Sequence, residues 1–287
     1  NYMTTSITLG MLMVYIAIMM GIGLYTSRKT KSVSDFVLGG RNVGSWLTAF
    51  AYGTSYFSAV VFIGYAGQFG WSYGVSAAWI GIGNAVIGSA LAWIVLGRRT
   101  RIMSNHLNAK TMPEFFEKRF NSKGLKIASA LIVFIFLIPY TASVYNGLSR
   151  LFNMAFNLNS DSSYKIIIIA MAIITAIYVI LGGYTATAIN DFIQGIIMLF
   201  GIVAVIAAVI HSKGGFMSAL QGLANVSDPA VSDTPGIFAS FFGPDPFNLL
   251  CVVILTSLGT WGLPQMVQKF YAIDNEACLL YTSPSPR

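Results

Sequence analysis

Residues 46–66, WLTAFAYGTSYFSAVVFIGYA, have the length of a membrane span, about 20 residues. Their centre reads Gly53, Thr54, Ser55, Tyr56, Phe57 and Ser58, where a lipid-facing helix would carry Leu and Ile. A helix that breaks there places hydroxyls and backbone carbonyls at mid-membrane, and the chemistry they offer is ligand binding through oxygen. Unpaired backbone at that depth is tolerated only where it is buried in protein or lines a cavity, which is where transporters hold their ligands. The same small residues also suit a helix-packing surface, and the window taken alone does not choose between the two. Residues 256–268, TSLGTWGLPQMVQ, repeat the oddity: Gly259, Gly262 and Pro264 fall inside a spanning length beside Thr260, Trp261, Gln265 and Gln268. A second broken span is expected.

Residues suited to other chemistry are scarce. The two histidines, His106 and His211, lie in or beside loops, and Cys251 and Cys278 have no metal-ligand spacing. No nucleophile elbow or phosphate loop is present, so an enzyme is not expected. At 55% hydrophobic and 9% charged residues, with a mean hydropathy of +0.69, the chain is far from the roughly 25% charged of a soluble domain. It reads as an all-α, polytopic membrane protein. The formal charge of +7 is distributed in short clusters between apolar runs, which is topology information and gives no nucleic-acid patch.

The elements that must position the two broken centres follow from the apolar runs, at about 7–26, 46–66, 75–96, 127–149, 166–182, 189–210 and 247–268. Seven spans are expected, the second and third joined by a tight turn at Gly67, Gln68, Phe69 and Gly70. The connections 27–45 and 97–126 hold twelve of the 17 basic residues. Placing both in the cytoplasm puts the N-terminus outside. Within the second, Pro113 and Glu114 mark the start of an interfacial helix reaching Phe120. The Gly- and Pro-rich stretch 211–245 is expected to carry only short helical pieces. The second and seventh spans cross the membrane in opposite directions, as the first helices of an inverted repeat of five spans would. A second unit of five needs four more helices, so residues 1–276 read as the first part of a longer transporter domain. Residues 277–287, ending LLYTSPSPR, read as a non-native tail.

Four motifs in this order and spacing resemble the sodium:solute symporters: Asp35 to Arg41 (DFVLGGR), Thr111 to Phe120 (TMPEFFEKRF), Gly182 to Ala186 (GGYTA) with Asp191 and Gln194, and Pro264 with Lys269-Phe270. Tyr184 and Lys269 depart from the usual Leu, Met or Phe and the usual Arg of that family. The resemblance implies a leucine-transporter-like inverted five-helix repeat bundle with one leading helix, truncated here to about seven transmembrane helices. It implies a co-transported sodium ion at the carbonyls of Thr54 and Phe57, whose remaining ligands lie beyond residue 287, so that this portion alone would not transport. An aspartate at the position of Asp191 is thought to help sodium leave toward the cytoplasm, although a solvated, interfacial carboxylate would also fit its place in the chain. Tyr56, Ser58, Asn84, Tyr140, Asn146, Thr260, Trp261 and Gln265 could supply the polar contacts and aromatic wall for a small solute; each could instead make a helix-to-helix hydrogen bond. Sugar cotransporters have a glutamine where Val61 stands, which disfavours hexose, and proline symporters have an aspartate where Tyr56 stands. The expected function is sodium-coupled uptake of a small amino acid, proline first, or a small carboxylate, by a multi-pass protein of the plasma membrane. The alternative is a transporter-like sensor domain.

Overall fold

The computed structural model describes residues 2–28, 32–41, 43–57, 65–156, 161–226, 228, 231–232 and 234–273. Among these residues helices dominate, and strand pairing is limited to two isolated bridges, Val43 with Ile273 and Asp228 with Ser232. A helix satisfies its own backbone, which a bilayer core demands. Helices α1 (Tyr2–Ser27), α8 (Lys123–Phe156) and α9 (Asp161–Ser212), together with the helical run Ala66–His106, contain stretches long and apolar enough to cross a membrane. Ile132, Phe134 and Phe136 of α8 and Leu199, Phe200 and Val203 of α9 are exposed, as lipid-facing residues would be. Helices α11 (Pro246–Gly259) and α12 (Pro264–Ala272), bent by 51° where they join, are together long and apolar enough for one further crossing.

The seven apolar runs are distributed over these elements unevenly. The fifth and sixth share α9, interrupted at Gly183 (φ 59°, ψ −151°), a conformation that suits glycine. Helix α2 (Val33–Leu38) packs so closely there that a Cβ on Gly183 would lie 2.9 Å from the Phe36 carbonyl oxygen. Of the second run, α3 (Ser45–Tyr56) takes the first part, residues 58–64 lie outside the described residues, and α4 (Ala66–Tyr73) begins at its last residue.

Two expected boundaries move. Helix α3 continues through Gly53–Tyr56, the Phe57 N–H still donates to the Gly53 carbonyl at 2.9 Å, and the chain leaves the helix at Phe57 (φ −87°, ψ 62°). Thr54 is tolerated inside the helix because its hydroxyl donates back to the Phe50 carbonyl at 2.9 Å. The turn expected at Gly67–Gly70 is the body of α4, and the helix ends instead at Gly74 (φ 61°, ψ −136°), packed against the Phe238 backbone.

After α5 (Ala78–Gly83) the helix widens into π turns over Asn84–Leu91 and Trp93–Gly97 before α6 (Arg98–His106). Helix α7 (Met112–Phe120) begins as expected: the Thr111 hydroxyl accepts the Glu114 N–H at 3.4 Å, and the Glu114 carboxylate accepts the Lys110 N–H at 2.8 Å. The stretch 211–245 holds α10 (Phe216–Ala224) and a 3-10 turn, Ile237–Ala239, the short pieces its glycines and prolines imply. The turn Gly39–Arg41 is tied to the end of α6, where Arg41 Nη2 donates to the carbonyls of Ala109 (2.6 Å) and Ser104 (3.3 Å). Burial and the nearby Arg101 charge push the Arg41 guanidinium below the usual arginine value. A buried core of Ala51 from α3, Tyr184 and Ala188 from α9, and Val267 and Tyr271 from α12 holds these helices together.

Candidate functional site

The last turn of α3, the start of the π-helical stretch and the last turn of α11 converge on one cavity of about 530 Å³. Ser55, Tyr56 and Phe57 approach it from α3, Asn84 from the π helix, Thr256 and Thr260 from α11 and the turn after it, and Tyr140 from α8. Tyr140 follows Pro139, which removes one backbone donor inside α8. Tyr65, Phe69, Leu263 and Met266 complete an apolar wall. Among the described lining residues none is charged.

Tyr56 ties the end of α3 to the π-helical stretch and to the turn after α11. Its hydroxyl donates to Asn84 Oδ1 at 2.6 Å and accepts from the Thr260 hydroxyl at 3.3 Å. Asn84 Nδ2 donates to the Ile80 carbonyl (2.8 Å) and to Thr256 Oγ1 (3.2 Å), and the Thr256 hydroxyl donates to the Val252 carbonyl (2.8 Å). Space for the phenol comes from Gly88, where any side chain would collide with the Tyr56 hydroxyl. Tyr52 stacks on the same ring at 6.1 Å. An amide and several hydroxyls on an apolar wall can orient a small polar solute without presenting it with a fixed charge.

Of the residues singled out for the solute, the structure brings Tyr56, Asn84, Tyr140 and Thr260 to this cavity. Trp261 and Gln265 are adjacent in the chain but do not line it; Trp261 Nε1 donates to the Ile87 carbonyl at 3.0 Å, and both amide atoms of Gln265 are buried with no partner among the described residues. Asn146 lies apart, where its Oδ1 accepts from Arg150 Nε and from the Tyr164 hydroxyl, each at 3.0 Å, and thereby links α8 to α9. Ser58 and Val61 lie outside the described residues. Thr256 was not foreseen, although its spacing of four from Thr260 puts both on one face of a helix.

Of the sodium candidates, Phe57 lines the cavity, whereas Thr54 faces α9, its methyl beside Gly195. Asp191 lies four residues before Gly195 and so about one turn away along the same α3–α9 contact, which the edge-on rings of Phe50 and Phe192 (4.8 Å) also mark. The Asp191 carboxylate is paired: Lys269 Nζ of α12 donates to its Oδ2 at 3.3 Å and sits 5.1 Å from the centre of the Tyr184 ring. The side chains of Asp191 and Lys269 are 22% and 8% exposed, so the carboxylate is partly buried as well as paired. Lys269 was noticed in the sequence only as a departure from a motif; its pairing with Asp191 has no local sequence signal.

The model of the sodium:solute symporter family matches residues 36–283. The sodium/proline symporter of Escherichia coli (strain K12) is 32% identical over 273 residues, covering 93% of this chain and 51% of that protein. The sodium/proline symporter of Staphylococcus aureus (strain JH9) is 33% identical over 283 residues, covering 94% of this chain and 50% of that protein. The chain thus spans about half the length of the curated relatives it matches. On a family match covering most of its residues, and with several helices long and apolar enough to cross a membrane, the chain belongs to the sodium:solute symporter family.

Proposed function

We propose that the complete protein takes up a small zwitterionic solute, proline first, together with sodium, by alternating access. The observation that carries this reading is the meeting of the end of α3 and the end of α11 at one cavity whose described lining carries no charge, with Tyr56 of the first bonded to Thr260 after the second. A solute there touches the ends of both spans, so its binding energy can favour one arrangement of the spans over another. The Thr54 and Phe57 carbonyls supply hard oxygen to sodium at the break, and Asp191 serves the ion on its way to the cytoplasm. Helices α3 and α11–α12 begin the two inverted five-helix units, and the N-terminus faces outward. The relatives named above are sodium/proline symporters, which favours proline among small solutes and transport over sensing.

Coupling requires both ligands to favour the same state, so sodium must tighten solute binding by the factor by which solute tightens sodium binding. Equilibrium binding of proline and of sodium to the purified full-length protein measures both factors. Proline binding of equal strength with and without sodium, with no other cation substituting, would end the symporter reading.

A further inference from the structure

Lys269 belongs to α12, whereas both groups that hold its ammonium, the Asp191 carboxylate at 3.3 Å and the Tyr184 ring face at 5.1 Å, belong to α9. A buried ammonium is costly unless it is paired, and a carboxylate with an aromatic face is a cation site in its own right. A tethered cation therefore fills a place whose chemistry would equally suit a free one. The helix that carries it is jointed at its start, while Met266, Val267, Phe270, Tyr271 and Ala272 pack along its length. Helix α12 has nine residues, begins at Pro264 after an extended Leu263 (φ −67°, ψ 126°), and is bent 51° from α11.

We infer that the Lys269 ammonium is the resident counter-ion of Asp191 and a competitor of sodium for it, so that a sodium ion reaching Asp191 releases α12 from α9. The inference rests on the reading of Asp191 as an ion-facing residue. Two monovalent cations on one carboxylate repel each other, which makes the occupants alternatives; the site stays neutral with either. A released lysine can turn its four-carbon stem and carry its charge to the inner aqueous phase. Its single-point contact with one carboxylate oxygen gives way to an incoming ion more readily than the two-point grip of an arginine would.

The test uses the full-length protein in inside-out vesicles, with native cysteines replaced and Ala272→Cys as a reporter, because Ala272 is fully buried at the end of α12. Sodium should speed labelling of that thiol by a water-soluble maleimide. In Lys269→Gln, labelling should be fast without sodium, and the sodium concentration giving half-maximal proline uptake should fall about tenfold, the factor expected from losing a charge-assisted contact. Lys269→Arg should restore the sodium-free protection. The exchanged pair, Asp191→Lys with Lys269→Asp, should recover protection that each single change loses, a rescue that general misfolding would not produce. Slow sodium-free labelling in Lys269→Gln, a raised sodium requirement in that variant, or no rescue in the exchanged pair would overturn the inference. Unchanged sodium dependence in Asp191→Asn would instead remove the ion role of Asp191 and the competition with it, while the labelling arm still reports on the α9–α12 contact by itself.

Discussion

Tyr56 carries one hydroxyl that serves two elements, and removing it separates polar from steric effects. Tyr56→Phe keeps the stacking on Tyr52 and the edge contact with Phe57 at 5.3 Å, but leaves Asn84 Oδ1 without its donor. Asn84 is part-buried, so the abandoned acceptor costs about 1 kcal/mol, the low end for a buried group. Proline affinity of the full-length variant should fall roughly tenfold, the equivalent of about 1.4 kcal/mol, with a smaller change in sodium affinity; titration of the purified protein reads both. Tyr56, Asn84 and Thr260 were legible because a polar side chain inside an apolar run stands out. Asn146 stood out equally, yet it bonds Arg150 and Tyr164. The sequence shows that a span contains a polar group, but not which neighbour that face meets once the helices pack. Lys269 was illegible for the same reason, because its partner is on another helix.

The bend between α11 and α12 was legible as an element, through Gly259, Gly262 and Pro264, and so was an end of helix near the small residues of α3. The residue at which α3 ends was not. Gly, Ser and Thr each cost a helix about 1 kcal/mol or less, too little to end it at Gly53 while tertiary packing holds α3 against α9. The π turns of Asn84–Leu91 leave no distinctive mark in the sequence, since Asn84, Gly88 and Ser89 are poor helix formers but residues of those types occur inside the α-helices as well. Gly183 offers the sharpest test at this scale. Gly183→Ala forces a side chain into φ 59° and against the Phe36 carbonyl, whereas Gly201→Ala on the same helix meets nothing within 4 Å. The first should destabilise by about 1–2 kcal/mol or more from backbone strain alone, the second should be neutral or slightly stabilising. Thermal unfolding of the two detergent-solubilised variants provides the comparison, and equal midpoints would show that α9 does not need its interruption.

At the scale of the molecule, composition alone indicated an all-α membrane protein, because few charges and long apolar runs leave a chain little else to become. The excess of basic residues in two connections predicts that both face the cytoplasm. A thiol reagent applied outside intact cells should reach a cysteine at Ser232 and miss one at Ser32 or Ser122; the opposite pattern would invert the whole arrangement. Sequence could not anticipate which distant segments touch. The turn before α3 and the end of α12 lie far apart in the chain, yet Val43 pairs with Ile273 and the Val43 N–H donates to the Ala272 carbonyl at 3.4 Å. That amide precedes α3, so no turn of helix shields it. Its proton can be traded for deuterium only while the contact with α12 is open. The exchange time of that one backbone proton is therefore set by how often, and for how long, α12 leaves its seat.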